Sequence, residues 1–171
     1  VPTPDFILEL RQKIGHDSLW LAGATAVVLR GDDVLLGRRA DNGIWAPITG
    51  IVDPGEEPAD TAVRECQEEA GVVCEVEGLA WVKAGDEKVF PNGDRCIFLD
   101  HTFRCRWVSG EPVVNDDEST EVGWFPLDGL PPMKDELLQR IRMAVEFDGR
   151  TRFVAGRPGP GDHAAGAHET A

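Results

Sequence analysis

The sequence predicts an α+β fold, a mixed sheet with a few helices in one domain of roughly 155 residues. Three observations predict it. Strand-like apolar runs recur between Leu21 and Phe125. A stretch without internal Gly, Glu57 to Ala70, separates two early runs from four later ones, and amphipathic helical segments stand at both ends. Beyond Gly156 the chain reads GRPGPGDHAAGAHETA, with six Gly or Pro in sixteen residues and no large apolar side chain. Such a segment cannot bury enough surface to order itself and is expected to be a tail.

The elements follow in order. Phe6, Ile7, Leu10 and Ile14 recur at helical spacing between Pro4 and Ile14, with Asp5 near the start and Gly15 after the end. Leu21–Leu29 and Val34–Leu36 read as a hairpin around Arg30-Gly31-Asp32-Asp33. Asp41 to Gly55, rich in Gly, Pro and Asp, reads as mostly loop. Glu57–Ala70 carries Pro only in its first turn, at Pro58, and Gly71 stands at the C-cap. Strands are expected at Val72–Val76, Leu79–Lys83, Cys96–Trp107 and Glu121–Phe125. A last helix is expected from Met133 to Phe147, with Leu137, Leu138, Ile141, Val145 and Phe147 on its apolar side. The expected division is an N-terminal helix at 1–18, a domain at 19–155 and the tail at 156–171.

The chain has 31 Asp and Glu against 17 Lys and Arg, a formal net charge of -14. Phosphates of DNA or RNA and anionic membrane surfaces are repelled by such a surface, so neither is expected as a partner. Cys66, Cys74, Cys96 and Cys105 form no CxxC pair and read as reduced, buried thiols. No signal peptide and no run of 18 apolar residues is visible, and the expected location is the cytoplasm.

The acids are unevenly placed. Asp53, Glu56, Glu57, Asp60, Glu65, Glu68 and Glu69 fall within seventeen residues that contain one basic residue, Arg64. Asp116, Asp117, Glu118 and Glu121 form a second group. On a helix Glu65, Glu68 and Glu69 share one stripe, while Ala59, Ala62, Val63, Cys66 and Ala70 face roughly 100° round, toward the sheet. The stripe is either a solvated acidic face or a holder of hard divalent cations, which take carboxylate oxygens.

The wider spacing decides between them. Gly50, five residues, Glu56, seven residues, then Arg64-Glu65-Cys66-Gln67-Glu68-Glu69-Ala70-Gly71-Val72 fits the pattern G-x5-E-x7-R-E-U-x-E-E-x-G-U, U being bulky and apolar. A chance match at its seven fixed positions is on the order of 10⁻⁷. The chain resembles the Nudix hydrolases, of the MutT-like or ADP-ribose pyrophosphatase-like kind. Ala24–Arg39 resembles the strand pair before this box, Trp45-Ala46-Pro47 its entry, and Trp124-Phe125-Pro126-Leu127 the last strand. Two positions depart: Thr49 stands where many relatives have Gly, and Cys66 is small for a site usually held by Leu or Val.

The resemblance implies an α/β/α sandwich with a mixed sheet between helices, and hydrolysis of a nucleoside diphosphate linked to another group. It implies Mg²⁺, with Mn²⁺ as a substitute, held by Glu65, Glu68 and Glu69, by the Thr49 carbonyl, and by Glu56 directly or through water. Arg64 would hold its neighbouring glutamates. The general base is Glu65, Glu68 or Glu69 from the box, or Glu118 or Glu121 from the second acidic group. Arg38, Arg39, Arg95, Lys83 and Lys88 are candidates for phosphate, and Trp45, Phe90 and Trp20 for stacking on a base. ADP-ribose and nucleotide sugars are ranked above nucleoside triphosphates, including oxidised ones. A non-catalytic nucleotide-sensing domain is the alternative outside enzymology, and an isoprenoid diphosphate isomerase would call for a cysteine upstream of the box. Homodimers are common in the family.

Overall fold

The computed structural model describes residues 3–154; the expected tail lies outside them. Two long strands, β1 (Leu19–Arg30) and β7 (Arg95–Ser109), run parallel in unbroken register from Leu19 opposite Cys96 to Leu29 opposite Arg106. Strand β5 (Val73–Ala84) lies antiparallel to β7, and β2 (Asp33–Arg39) turns back from β1 through Gly31-Asp32. Gly31 takes φ +62, which a side chain would resist. Strand β8 (Ser119–Pro126) pairs with β2. The short β6 (Lys88–Val89) joins β7, and β9 (Arg152–Phe153) joins β5.

Helix α2 (Pro58–Ala70) packs on one face of this mixed sheet and α3 (Asp135–Val145) on the other, so the expected α/β/α layering holds. The alternation of β1 makes both faces. Ala24, Ala26 and Val28 point to α2, Val27 and Leu29 to α3. Helix α1 (Asp5–Ile14) covers a smaller cluster around Ile7, Leu21 and Cys96. The floor beneath α2 is built largely of small residues: Ala62, Cys66 and Ala70 from the helix meet Ala24 and Ala26, with Cys74 and Cys105 beside them. All four cysteines are free and buried. Among the described residues no helix is long and apolar enough to cross a membrane.

Four sequence expectations need correction. The segment read as mostly loop also contains two strands not foreseen, β3 (Trp45–Ala46) and β4 (Ile48–Ile51); β4 pairs with Gly23–Ala26 of β1, which supplies backbone partners that its Gly- and Pro-rich surroundings conceal. The strands expected at 72–76 and 79–83 are one strand, bent by register shifts at Val76/Gly78 and Leu79/Trp81. Strands β6 and β9, two residues each, were not expected from the pattern. In α3, Val145 is exposed, and Arg140 is buried on the sheet side beside Ile141 and Ala144.

Candidate active site

The acidic stripe is divided by its environment. Glu65 and Glu69 are only 5% and 6% exposed, whereas the Glu68 side chain is 49% exposed. Two glycines make room for the buried pair. A Cβ built on Gly50 would run into the Glu65 carboxylate, so the empty position on β4 is the cradle in which that side chain rests. A Cβ on Gly37 of β2 would stand 2.7 Å from the Ser119 hydroxyl and 3.1 Å from Oε1 of Glu69. Ser119 donates to that same Oε1 at 2.5 Å.

Arg64 is the cation of this neighbourhood. Its Nε and Nη2 donate to the two oxygens of Glu56 at 2.8 and 3.0 Å, and Nη1 donates to Glu65 at 2.9 Å and Glu68 at 2.8 Å. Glu56 also accepts from the Thr61 hydroxyl, at 2.7 Å. The Arg64 fork, with Thr61, holds Glu56 down at about 2. Glu65 goes the other way: burial pushes it up to about 7 against the pull of Arg64, with Glu118 and Glu68 adding to the rise. Burial also pushes Glu69 up to about 7, against the Ser119 hydrogen bond, and the charges of Glu118 and Asp116 add to it.

The second acidic group reaches the box because the chain between β7 and β8 is tied along α2. Gly71 ends α2 in the left-handed conformation. The Val113 N–H donates to the Ala70 carbonyl at 3.1 Å and the Asn115 N–H to the Glu69 carbonyl at 3.3 Å. The Asn115 amide adds a bond to the Gln67 carbonyl at 3.4 Å. The first two donors meet helix-end carbonyls that lack intrahelical partners, while the Gln67 carbonyl also accepts the Gly71 N–H at 3.1 Å. Glu118 thereby comes within electrostatic reach of Glu65 and Glu69. Glu121 instead pairs with Arg38 at 2.6 Å, both side chains exposed. An open cleft of about 640 Å³ runs along the outer side of α2, lined by Asp60, Val63, Arg64, Gln67, Glu68 and Asn115.

The remaining candidates scatter. Arg39 forks onto Asp41 at 3.0 and 2.9 Å, with its charge also felt by Glu69 and Glu118. Arg38 also donates to the Gly43 carbonyl at 3.2 Å. Trp45 meets Phe125 edge-on at 4.7 Å between ring centroids and packs, half-buried, against the α3-side core. Phe90 closes the turn to Asp94, and Arg95 stands 3.9 Å from Glu87. Thr49 lies on β4 opposite Thr25, one residue before the Gly50 cradle. Sequence reasoning missed Gly37, Asn115 and Ser119; the one visible signal was a glycine inside the apolar strand β2.

Among the described residues no three His, Cys, Asp or Glu side chains already stand in metal-binding geometry. In this arrangement Arg64 occupies the acids of Glu56, Glu65 and Glu68. The donor set nevertheless fits a hard divalent cation. It offers oxygen ligands, with Glu65 buried beside an Arg64 that is shared with Glu56 and Glu68, Glu69 buried beside a neutral hydroxyl, and the Glu65 carboxylate in a cradle that a single Cβ would fill.

The family profile described as NUDIX domain matches residues 20–145. The chain belongs to the NUDIX family. Within that family, the chain is 38% identical over 109 residues to the NAD-capped RNA hydrolase NudC of Pseudomonas aeruginosa. That match covers 63% of this chain and 36% of the relative. It is 33% identical over 113 residues to the NudC of Pseudomonas putida, covering 63% of this chain and 37% of that one. The chain thus spans little more than a third of those relatives' length. Among solved structures, an ADP-ribose pyrophosphatase of Streptococcus suis matches with a TM-score of 0.57 and 26% identity, over 78% of this chain and 98% of that one. A MutT NUDIX hydrolase of Burkholderia pseudomallei matches with a TM-score of 0.58 and 28% identity, over 73% and 98%.

Proposed function

We propose that this NUDIX domain is a Mg²⁺-dependent pyrophosphohydrolase that cleaves the diphosphate of a nucleoside diphosphate linked to a second group, of the ADP-ribose or dinucleotide type. The observation that carries the reading is the pair of buried carboxylates, Glu65 and Glu69, seated over Gly50 and Gly37 and joined by Glu118 from a strap tied to the same helix. Glu65, Glu68 and Glu69 would hold the metal, with the Thr49 carbonyl beside them. A bound Mg²⁺ would neutralise the diphosphate and lower the pKa of water. Attack by water on phosphorus breaks the phosphoanhydride bond, and a carboxylate must take the proton that the water gives up. Glu118, whose charge is felt by both Glu65 and Glu69, stands closer to the box for that role than Glu121, which lies opposite Arg38 on the sheet. Arg64 and Glu56 orient the box glutamates through their shared fork.

The likeness to proteins named ADP-ribose pyrophosphatase and NAD-capped RNA hydrolase supports a diphosphate flanked by two nucleoside or sugar groups. The charge of -14 favours a small nucleotide over a long RNA chain. The test is turnover of ADP-ribose, NAD, UDP-glucose and dGTP with Mg²⁺, read as nucleotide products. At least one of the first three turns over faster than dGTP, and Glu68→Gln or Glu69→Gln each lowers the rate by about 100-fold or more. Absence of turnover on every compound, or full activity in both variants, defeats the proposal.

A further inference from the structure

Helices α1 and α3 share one face of the sheet, and α2 covers only part of the other. Strand register shows which part is left. On β1, Ala24, Ala26 and Val28 lie under α2, so Trp20 and Ala22 point the same way beyond it. Ile97, Leu99 and His101 of β7 stand on that face too, opposite Trp20, Ala22 and Ala24. Val82 and Ala84 of β5 are opposite His101 and Leu99, and Phe153 of β9 is opposite Val82. The strip runs across four strands, and none of its positions is Asp, Glu, Lys or Arg.

Strands β1 and β7 are interior strands of the sheet, whose apolar faces call for cover. On the other face α1 closes the same rows over Leu21 and Cys96. Here none of Trp20, Ile97, Leu99, Val82 and Phe153 belongs to a cluster packed under a helix. Trp20 is 60% exposed and Phe153 73%. Between these two rings Ala22 and Ala84 leave a shallow floor beside Leu99. His101, the polar member, donates to the Gly23 carbonyl at 3.1 Å.

We propose that this strip is where a second copy of the chain packs, sheet face against sheet face, through the same residues on both sides. Charge selects the occupant. Each copy carries -14, so two copies repel wherever their acids meet, and an uncharged strip is where they can approach. A basic partner would be drawn to the acids, which lie off the strip. The chain beyond Val154 starts beside it, but GRPGPGDHAAGAHETA has no large apolar side chain to fill it. The two exposed rings alone offer about 300 Å², more than a third of the roughly 800 Å² that each side of a stable interface buries.

The test is sedimentation equilibrium of the full chain over about 1–100 µM, with thermal melts to check folding. The native chain dimerises in that range, and added salt tightens the dimer, because salt screens the acids and spares the apolar contact. Trp20→Glu and Phe153→Glu, both at exposed positions, weaken it about tenfold or more and stay folded. Leu8→Glu, at an exposed apolar position on α1, dimerises as the native chain does. A native chain that stays monomeric overturns the inference; if removal of residues 155–171 then releases a dimer, the strip belongs to the tail. A dimer whose affinity stays within twofold of native in both variants overturns it by placing the contact elsewhere. A dimer that salt dissolves overturns it by making the contact ionic. Loss of folding in both variants assigns the rings to the scaffold and overturns it too.

Discussion

Charge is buried on both faces of the sheet, and the two faces treat it differently. Under α3, the Arg140 guanidinium donates to Asp100 at 2.9 Å, to the Thr25 hydroxyl at 2.6 Å and to Glu136 at 2.8 Å, while Thr102 donates to the second oxygen of Asp100 at 2.7 Å. Arg140 of α3 reaches Asp100 on β7 and Thr25 on β1, so the network locks helix to sheet, while Glu136 and Thr102 complete it from within α3 and β7. Under α2, Glu65 and Glu69 are as deeply buried, but Arg64 is shared among Glu56, Glu65 and Glu68, and Glu69 receives a neutral hydroxyl. The first region is complete as folded. The second holds negative charge in excess, which is what a cation site requires before the cation arrives.

The largest effect should come from spoiling the complete region. Arg140→Leu leaves Asp100 buried without its cation and lowers unfolding free energy by about 3–5 kcal/mol, measured by urea denaturation. A loss under 1 kcal/mol would mean that the two networks are not different in kind.

Next in size is an intrusion into the incomplete region. Gly50→Ala places a methyl where Glu65 lies, at a cost of about 1–3 kcal/mol. The carboxylate is expelled from β4, so turnover with Mg²⁺ falls far more than stability does. Equal turnover in the variant would show that the cradle is dispensable.

The smallest effect has the opposite sign. The folded-state values of Glu65 and Glu69, about 7, stand above the usual glutamate range. Their ionisation therefore opposes folding: the stability present below about pH 4.5 is lost as pH rises through 7. In metal-free protein at pH 8, Glu65→Gln or Glu69→Gln should stabilise by about 1 kcal/mol, and the gain should vanish at pH 4, where the native glutamates are protonated as well. Thermal melts at the two pH values read this directly, and destabilisation at pH 8 would show that the carboxylates are already neutralised.

Much of the complete region could not be read from the chain, whereas the incomplete one could. The box announces itself because its glutamates and glycines sit at fixed separations along one helix and the strand before it. Arg140 and Asp100 are forty residues apart and meet only through tertiary packing. The hint was that Arg140 shares a helical stripe with Leu137, Ile141 and Ala144. The strand β4 hid for a related reason: its pairing partner, not its composition, makes it a strand. Ser119 and Asn115 became legible only when the strap was seen lying on α2, since a hydroxyl or an amide in a polar stretch carries no pattern of its own. For the acids after the box, the sequence offered Glu118 and Glu121 equally. Strand register sets Glu121 of β8 opposite Arg38 of β2, and Glu118 lies where its charge reaches Glu65 and Glu69.

The small residues beneath α2 set a length. Bulky side chains hold a helix off its sheet; along the line where Ala62, Cys66 and Ala70 face Ala24 and Ala26 the side chains are small on both sides, with Leu35, Ile48 and Phe103 filling the core around them. At that height a glutamate, with two methylenes before its carboxyl, spans the gap to the bare backbone of Gly50. Cys66, small for its place in the pattern, belongs to the same fit. The thickness of the hydrophobic layer thus acts as a gauge block, and the reach of the acid is machined to it.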